Sequence, residues 1–191
     1  MSRARTVECA WTTSDPLYIA YHDEEWGVPV HEDKELFEFL LLEGAQAGLS
    51  WDTVLRKRAG YRKVFCDFNV KAVSELSDQE LTKIQLDPSI IRNRLKIESA
   101  RNNARCFIKV QEEVGSFDSY IWSFSDGKVI QNNFKNATDV PTSTVLSDRI
   151  SKDLKKRGFK FVGSTIVYAY LQAIGIVNDH TTDCFRHSQL S

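Results

Sequence analysis

The chain has 191 residues, of which 42% are apolar and 27% charged, as expected for one globular domain with its own core. No apolar run approaches the roughly 18 residues that span a bilayer, and no apolar segment near the start indicates a secretory signal. The net charge of −1 excludes a strongly basic protein, so a nucleic-acid partner would require local positive charge. Because no secretory signal is indicated, we expect a reduced, cytoplasmic setting for the four cysteines, Cys9, Cys66, Cys106 and Cys184.

Helix signals dominate the chain. Helix starts are predicted at residues that favour the N-cap, namely Asp15 before Pro16, Asp33, Ser50, Ser77 in a capping box with Glu80, and Ser164. Helix ends are predicted at four glycines, Gly48, Gly115, Gly158 and Gly175. Between these signals the apolar residues recur at helical spacing, for example Leu146, Ile150 and Leu154.

One long stretch, from Asp126 to Pro141, carries no helical period. This stretch predicts a long loop with a short hairpin, and no other strand is indicated. The sequence shows no internal repeat and no low-complexity linker. We therefore predict one compact all-α domain.

Positive charge is concentrated in three clusters: Lys152, Lys155, Lys156, Arg157 and Lys160; Arg92, Arg94 and Lys96; and Arg56, Lys57 and Arg58. The ordinary interpretation of any one cluster is a solvated helix face. Only a common placement of the clusters would make them a DNA-binding surface.

Cysteine and histidine lie close together near both ends of the chain. Cys9 precedes His22, and His180 and Cys184 form a His-x-x-x-Cys pattern that would place both side chains on one face of a helical turn. Two thiolates and two imidazoles suit a tetrahedral zinc ion, and four protein ligands would make the site structural. Two alternatives remain open: unrelated core residues, or a Cys9–Cys184 disulfide.

Aromatic residues are dense near the start of the chain, where Trp11, Tyr18, Tyr21 and Trp26 alternate with acidic residues, and Trp51 follows. Aromatic side chains at this density most often fill a core. The interleaved charges favour a second interpretation, a stacking pocket for a flat ligand such as a nucleobase.

Glu43 follows an apolar run near the end of the second predicted helix. The ordinary interpretation is a surface glutamate on the last turn. The alternative is a carboxylate at the floor of a pocket, where it would contact a polar or cationic ligand.

Four long blocks resemble one family. The segments CAWTTSDPLYIAYHDEEWGVP, LLLEGAQAGLSWDTVLRKR, SIIRNRLKI and LKKRGFKFVGSTIVYAYLQAIGIVNDHTTDC are similar, in order, to the bacterial 3-methyladenine DNA glycosylase I family. The resemblance runs from about Cys9 to Cys184. It implies an all-α helix-hairpin-helix glycosylase core whose N- and C-terminal segments are joined by one structural zinc ion.

The resemblance also implies a domain division. A single glycosylase domain would span residues 1–191, with a helix-hairpin-helix core at about 27–140. Residues 1–26 and 141–186 would form a zinc-stapled terminal subdomain, and residues 187–191 a tail. We expect a monomer with no membrane partner, in the bacterial cytoplasm and associated with the nucleoid through DNA.

The family's functional positions fall on residues of this chain. The zinc ligands fall on Cys9, His22, His180 and Cys184, and the base-contacting glutamate falls on Glu43. The base-binding aromatics fall on Trp11, Tyr21 and Trp51, with Tyr18 and Trp26 nearby. The DNA contacts fall on the wedge turn Gly48-Leu49 and on a hairpin at about Asp87 to Lys96, with Ser89, Arg92, Arg94 and Lys96.

Two positions depart from the family pattern. Ser89 stands where the hairpin is expected to carry glycine, and Ala45 stands where some members carry glutamine. Serine at residue 89 would strain the backbone if that position required a positive φ.

The activity implied by the resemblance is hydrolysis of the N-glycosidic bond of 3-methyladenine in alkylated double-stranded DNA, with release of the free base. An ionised Glu43 would complement the cationic base. Residues 97–114 contain no aspartate, and no lysine has an obvious Schiff-base position, so we expect no strand cleavage. The alternatives are a non-catalytic, zinc-stapled binder of damaged DNA and a zinc hydrolase, which would need an open metal position.

Overall fold

A computed structural model describes residues 15–190, and this part of the chain is mostly helical. Its α-helices are α1 (Pro16–Ala20), α2 (Asp33–Gln46), α3 (Trp51–Val64), α4 (Val70–Glu75), α5 (Asp78–Leu86), α6 (Arg94–Val114), α7 (Phe117–Trp122), α8 (Val145–Lys156) and α9 (Ser164–Ala173). A π-helical turn, Tyr21–Glu25, continues α1, and 3-10 turns occupy Cys66–Phe68, Ser123–Ser125 and Ala137–Asp139. None of the described helices combines the length and apolar character needed to cross a bilayer.

Three of the five predicted N-caps, Asp15, Ser50 and Ser77, are confirmed by their capping bonds. Ser164 begins α9 but does not cap it, because Gly163 occupies that N-cap. The Asp15 carboxylate accepts a hydrogen bond from Leu17 N at 2.8 Å, and Ser50 Oγ accepts one from Thr53 N at 3.3 Å. Ser77 and Glu80 form the predicted capping box. These bonds satisfy amide groups that have no partner within the first helical turn.

The prediction of Asp33 as the N-cap of α2 is wrong, because Glu32 occupies that position. The Asp33 carboxylate instead accepts hydrogen bonds from Phe117 N at 2.9 Å and from Asp118 N at 2.8 Å. It therefore anchors the start of α7 to the start of α2.

The predicted hairpin between Asp126 and Pro141 is wrong. The short strand β1 (Ile130–Gln131) pairs in parallel with β2 (Val177–Asn178), close to the end of the chain. The Asn132 side chain donates to Asp179 Oδ1 at 2.7 Å and strengthens this pairing. The loop therefore finds its hydrogen-bonding partner in a distant segment.

Helix α2 runs through the centre of the molecule. Its residues from Leu36 to Ala45 are all buried, including the carboxylates of Glu38 and Glu43. The helix packs against α3, α6, α7 and α9. Because its C-terminal half is enclosed, α2 carries Glu43 into the interior.

Residues 87–93 form the turn between α5 and α6, and this turn lies against α3. A Cβ added at Gly60 would lie 2.3 Å from Ser89 O, so only glycine permits this approach without a shift. Lys57 Nζ donates to Pro88 O at 2.8 Å on the same face. The backbone of Ser89 lies outside the left-handed region, so serine fits here without the strain considered above.

Candidate functional site

A cavity of about 260 Å³ opens where both ends of the described chain meet α2. It contains Glu43 and four of the aromatic residues singled out in the sequence, Tyr18, Tyr21, Trp26 and Trp51. Trp11 lies outside the described residues. The remaining lining residues are Gln46, Ala137, Val140, Ala169, Gln172, Asp179 and Thr181.

Two of the aromatic rings form one wall of the cavity. The ring centroids of Tyr21 and Trp51 are 5.1 Å apart, and the ring planes are tilted by 43°. Both side chains are buried, and Trp51 Nε1 has no hydrogen-bond partner among the described residues. The wall therefore offers aromatic surface to a flat ligand and one indole donor.

Glu43 is 4% exposed, which rules out its interpretation as a surface residue. Within the described part of the chain, Glu43 Oε2 is buried without a hydrogen-bond partner. Burial raises the pKa of Glu43 to about 8. The cavity thus holds an acid that is mostly neutral near pH 7 until a ligand compensates its charge.

A polar part of the cavity lining was missed by sequence reasoning. Asp179 is buried and accepts hydrogen bonds from Tyr168 Oη at 2.5 Å, from Gln172 Nε2 at 2.7 Å and from Asn132 Nδ2 at 2.7 Å. Gln46 lies one turn beyond Glu43 on α2 and faces the same cavity. The i, i+3 spacing from Glu43 could have identified Gln46, whereas no local pattern points to Asp179.

His22, His180 and Cys184 form a second, buried cluster. Their ligand atoms all lie within 4.8 Å of one another. Cys184 Sγ lies 3.6 Å from His22 Nε2 and 3.4 Å from His180 Nδ1. Cys9, the fourth predicted ligand, lies outside the described residues.

The outer nitrogen of each histidine has its own partner. His22 Nδ1 lies 2.7 Å from Asp23 Oδ1, and His180 Nε2 donates to Trp26 O at 3.1 Å. Such bonds fix the tautomer and direct the lone pair of the other nitrogen inward, as in metal-bound histidines. Burial lowers the pKa of His180 to about 3, which favours the neutral, metal-binding imidazole. Two imidazole nitrogens and a thiolate sulfur are ligands that zinc prefers, so these residues fit a zinc ion.

The predicted helical turn for His180 and Cys184 is wrong. The two residues follow β2 in irregular structure, where Cys184 N donates to Thr181 O at 2.8 Å. This non-helical turn brings the side chains of His180 and Cys184 together although the two residues are four positions apart in the sequence.

The π-helical turn Tyr21–Glu25 serves both sites. Tyr21 and His22 are adjacent and both buried, yet Tyr21 lines the cavity and His22 belongs to the cluster with His180 and Cys184. Arg58 holds this turn by donating to Glu25 Oε2 at 2.6 Å and to Glu38 Oε1 at 2.6 Å. The ion pairs connect the turn to α2.

The predicted DNA contacts lie on the turn after α2 and on the segment that leads into α6. Gly48 has a φ of +77°, and Leu49 next to it is 42% exposed. Arg92 and Arg94 are exposed at the start of α6, whereas Lys96 points inward. Leu49 and the two arginines are thus accessible to a macromolecular partner.

Ion pairs partly neutralise each basic cluster, and in the cluster at residues 92–96 Arg94 pairs with Glu98 at 3.7 Å. Arg56 pairs with Asp15 and Asp52, and Arg157 pairs with Asp153 at 2.8 Å and with Glu113 at 2.6 Å. Paired guanidinium groups contribute little net field. The clusters at residues 56–58 and 152–160 therefore carry less free positive charge than the sequence indicates.

The geometry agrees with a known family. A family model described as methyladenine glycosylase matches residues 11–187. The chain belongs to the methyladenine glycosylase family. DNA-3-methyladenine glycosylase 1 of Escherichia coli (strain K12) is 47% identical over 176 residues, which cover 92% of this chain and 94% of that protein. DNA-3-methyladenine glycosylase of Haemophilus influenzae (strain ATCC 51907 / DSM 11121 / KW20 / Rd) is 41% identical over 179 residues, covering 94% and 97%.

Solved structures from the same family share the fold. A crystal structure of 3-methyladenine DNA glycosylase I that is 47% identical superposes with a TM-score of 0.90 and covers 94% of this chain and 98% of that chain. A variant of 3-methyladenine DNA glycosylase I in complex with 3-methyladenine is 38% identical, with a TM-score of 0.91 and coverage of 93% and 96%. The mostly helical architecture is thus shared over nearly the whole chain.

Proposed function

We propose that this protein is a DNA glycosylase that hydrolyses the N-glycosidic bond of 3-methyladenine in alkylated double-stranded DNA. The observation that carries the proposal is the cavity in which buried Glu43 lies beside the Tyr21 and Trp51 rings. The names of the relatives and the complex of one of them with 3-methyladenine support the same substrate.

Recognition follows from the chemistry of the cavity. A base must leave the DNA stack to be reached, and stacking on aromatic rings returns about 1–3 kcal/mol per base. Methylation at N3 makes adenine cationic, and a desolvated cation is attracted to the electron-rich faces of Tyr21 and Trp51. The cation also favours the ionised form of Glu43, whose carboxylate accepts a hydrogen bond from the base. Unmodified adenine is neutral and leaves that buried carboxyl without compensation.

The cationic base is a good leaving group, so strong acid catalysis is unnecessary. We propose that water attacks the sugar and that no strand cleavage follows. The described residues that line the cavity include no lysine able to form a Schiff base. Glu98, Glu112 and Glu113, the carboxylates of α6, are also not among them.

We further propose that His22, His180, Cys184 and Cys9 bind one structural zinc ion. Four protein ligands leave no open position for a reactive water, which speaks against a zinc hydrolase. When bound, the ion supplies a cross-link between the two terminal segments. The division into a core and a zinc-stapled terminal subdomain belongs to this proposal.

DNA binding is proposed for the wedge turn and for the α5–turn–α6 unit, interpreted as the helix-hairpin-helix motif. Leu49 would fill the gap left by the flipped nucleotide, and Arg92 and Arg94 would contact phosphates. Affinity should then fall steeply with salt concentration.

The decisive experiment incubates the purified protein with methylated double-stranded DNA and separates the released bases by chromatography. We expect free 3-methyladenine and intact DNA strands with abasic sites. A protein that binds methylated DNA but releases no base would instead be the non-catalytic damage binder. Strand breaks formed without added base or heat would contradict the monofunctional mechanism.

A further inference from the structure

Lys96 does not point outward with its neighbours Arg92 and Arg94. Its ammonium group donates to Ala45 O at 2.7 Å and to Ala47 O at 2.6 Å, two carbonyls at the C-terminal end of α2. These carbonyls have no amide partner within the helix, and a cation there complements the partial negative charge of the helix end. The lysine thus caps a helix other than its own.

The position of Lys96 in its own helix is locally unfavourable. It is the third residue of α6, where the partial positive charge of the helix terminus disfavours a cation. Asn93 caps this first turn by accepting from Lys96 N at 3.1 Å, so the backbone is satisfied without the ammonium group. A residue that conflicts with its local setting usually serves a tertiary role.

The bonds of Lys96 join two turns with separate proposed tasks. Ala47 directly precedes Gly48 and Leu49, the wedge turn, whose Leu49 N donates to Gln46 O at 2.6 Å. Lys96 follows the turn at residues 87–93 that is proposed to grip the DNA backbone. Both turns are therefore connected through the half-buried side chain of Lys96.

We infer that Lys96 is a positioning residue that locks the wedge turn to the hairpin, so that backbone binding and insertion of Leu49 occur in one fixed geometry. This inference rests on the proposed glycosylase function. It differs from the expectation of a phosphate contact, because the role of Lys96 lies in its bonds to Ala45 and Ala47.

The test compares Lys96→Met, Lys96→Arg and the control Lys83→Met with the unmodified protein. Lys83 is an exposed lysine in the last turn of α5, so Lys83→Met removes the same charge close to the turn at residues 87–93. The measurements are the single-turnover release of 3-methyladenine at saturating enzyme, the salt dependence of DNA affinity, the affinity for free 3-methyladenine, and the thermal stability. The fluorescence of 2-aminopurine beside an abasic-site analogue reports unstacking by the wedge.

We expect Lys96→Met to slow base release about tenfold, the loss expected for charge-assisted hydrogen bonds, and to reduce the 2-aminopurine signal. Free-base affinity and the salt slope should not change, Lys96→Arg should restore most of the rate, and Lys83→Met should behave as the unmodified protein. A salt slope reduced by about 0.9 with an unchanged saturated rate would identify a phosphate contact and overturn the inference.

Two further outcomes separate the possible failures. Normal base release and 2-aminopurine signal in Lys96→Met would overturn the positioning role while leaving the glycosylase function intact. Parallel loss of free-base affinity and thermal stability would show a general structural role instead. Absence of base release by the unmodified protein would overturn the proposed function itself.

Discussion

Two opposing influences act on the protonation state of Glu43: its burial, and the ligand that we propose for it. Burial favours the neutral acid, whereas a cationic base favours the carboxylate. Glu43 Oε2 finds no hydrogen-bond partner in the described chain, so the proposed ligand would supply the missing partner. A neutral base cannot provide the same compensation, and under the proposed function this difference would make the cavity selective for a cationic base.

Replacing Glu43 by glutamine should lower the single-turnover rate of 3-methyladenine release. The change converts a charge-assisted hydrogen bond into a neutral one, a loss of about 1–2 kcal/mol, or roughly tenfold in rate. Glu35→Gln is the matched control, because Glu35 lies on the same helix and is exposed. A Glu43→Gln protein as fast as the Glu35→Gln protein would contradict a role of Glu43 in recognition.

Glu43 should also make the stability of the ligand-free protein depend on pH. Its pKa is raised from 4.5 to about 8 on folding, so the folded chain retains a proton that the unfolded chain loses. The free energy of unfolding should therefore decrease as the pH rises from about 4.5 to about 8, by as much as about 5 kcal/mol from this group.

Urea denaturation of the unmodified protein and of Glu43→Gln across this range measures the effect. Glutamine cannot ionise, so the advantage of the variant should grow from pH 5 to pH 8. Curves that run parallel over the whole range would show that Glu43 has an ordinary pKa.

At the scale of the elements, local signals were sufficient for most helices. Asp15, Ser50 and Ser77 mark helix starts because their side chains satisfy amides only two or three residues away. The loop at residues 126–141 was recognised by its lack of period, but its strand β1 could not be assigned a partner. That partner, β2, lies far along the chain, and pairing at this distance leaves no periodic trace.

The contact between α3 and the α5–α6 turn gives a prediction for Gly60. Gly60→Ala places a methyl group against the backbone of Ser89 and must displace the turn. Overpacking of this kind lowers the free energy of unfolding by ~1–3 kcal/mol. We expect weaker binding to DNA and slower base release from it, with unchanged affinity for free 3-methyladenine.

Gly163→Ala is the control, because no atom lies within 4 Å of the added methyl group. DNA affinity and free-base affinity are measured by titration for both variants. Normal DNA affinity in Gly60→Ala would show that this turn does not grip DNA.

At the scale of the molecule, the cavity is assembled from segments near both ends of the chain. Tyr21 and Glu43 come from the first quarter, whereas Asp179 and Thr181 follow the last strand. Density and setting made the aromatic residues and the carboxylate candidates, and the family resemblance assigned them to the site. Neither indicated the polar part of the lining, because only the fold brings Asp179 to Tyr168 and Gln172.

The His22, His180 and Cys184 cluster also joins segments near both ends of the chain, and it gives a prediction for the proposed zinc ion. Purified protein should contain about one equivalent of zinc per chain. Cys184→Ser should lose the zinc and much of the thermal stability, since structural zinc sites can contribute on the order of 10 kcal/mol to folding. Cys66→Ser, which alters an exposed cysteine outside the cluster, should keep both.

Elemental analysis and thermal melting of the three proteins provide the measurement. Full zinc content in Cys184→Ser, or protein purified without chelator that contains almost no zinc, would show that the cluster is not a zinc site.

The π-helical turn Tyr21–Glu25 has a consequence for how this sequence can vary. Successive residues of a helix are rotated by about 100°, so adding or deleting one residue turns every side chain beyond it. Tyr21 and His22 face different sites from adjacent positions, and the wide turn sets the angle between them. Substitutions are tolerable on its solvent side, but a change in length cannot suit both sites at once. Among related proteins, insertions and deletions should therefore be missing from this stretch.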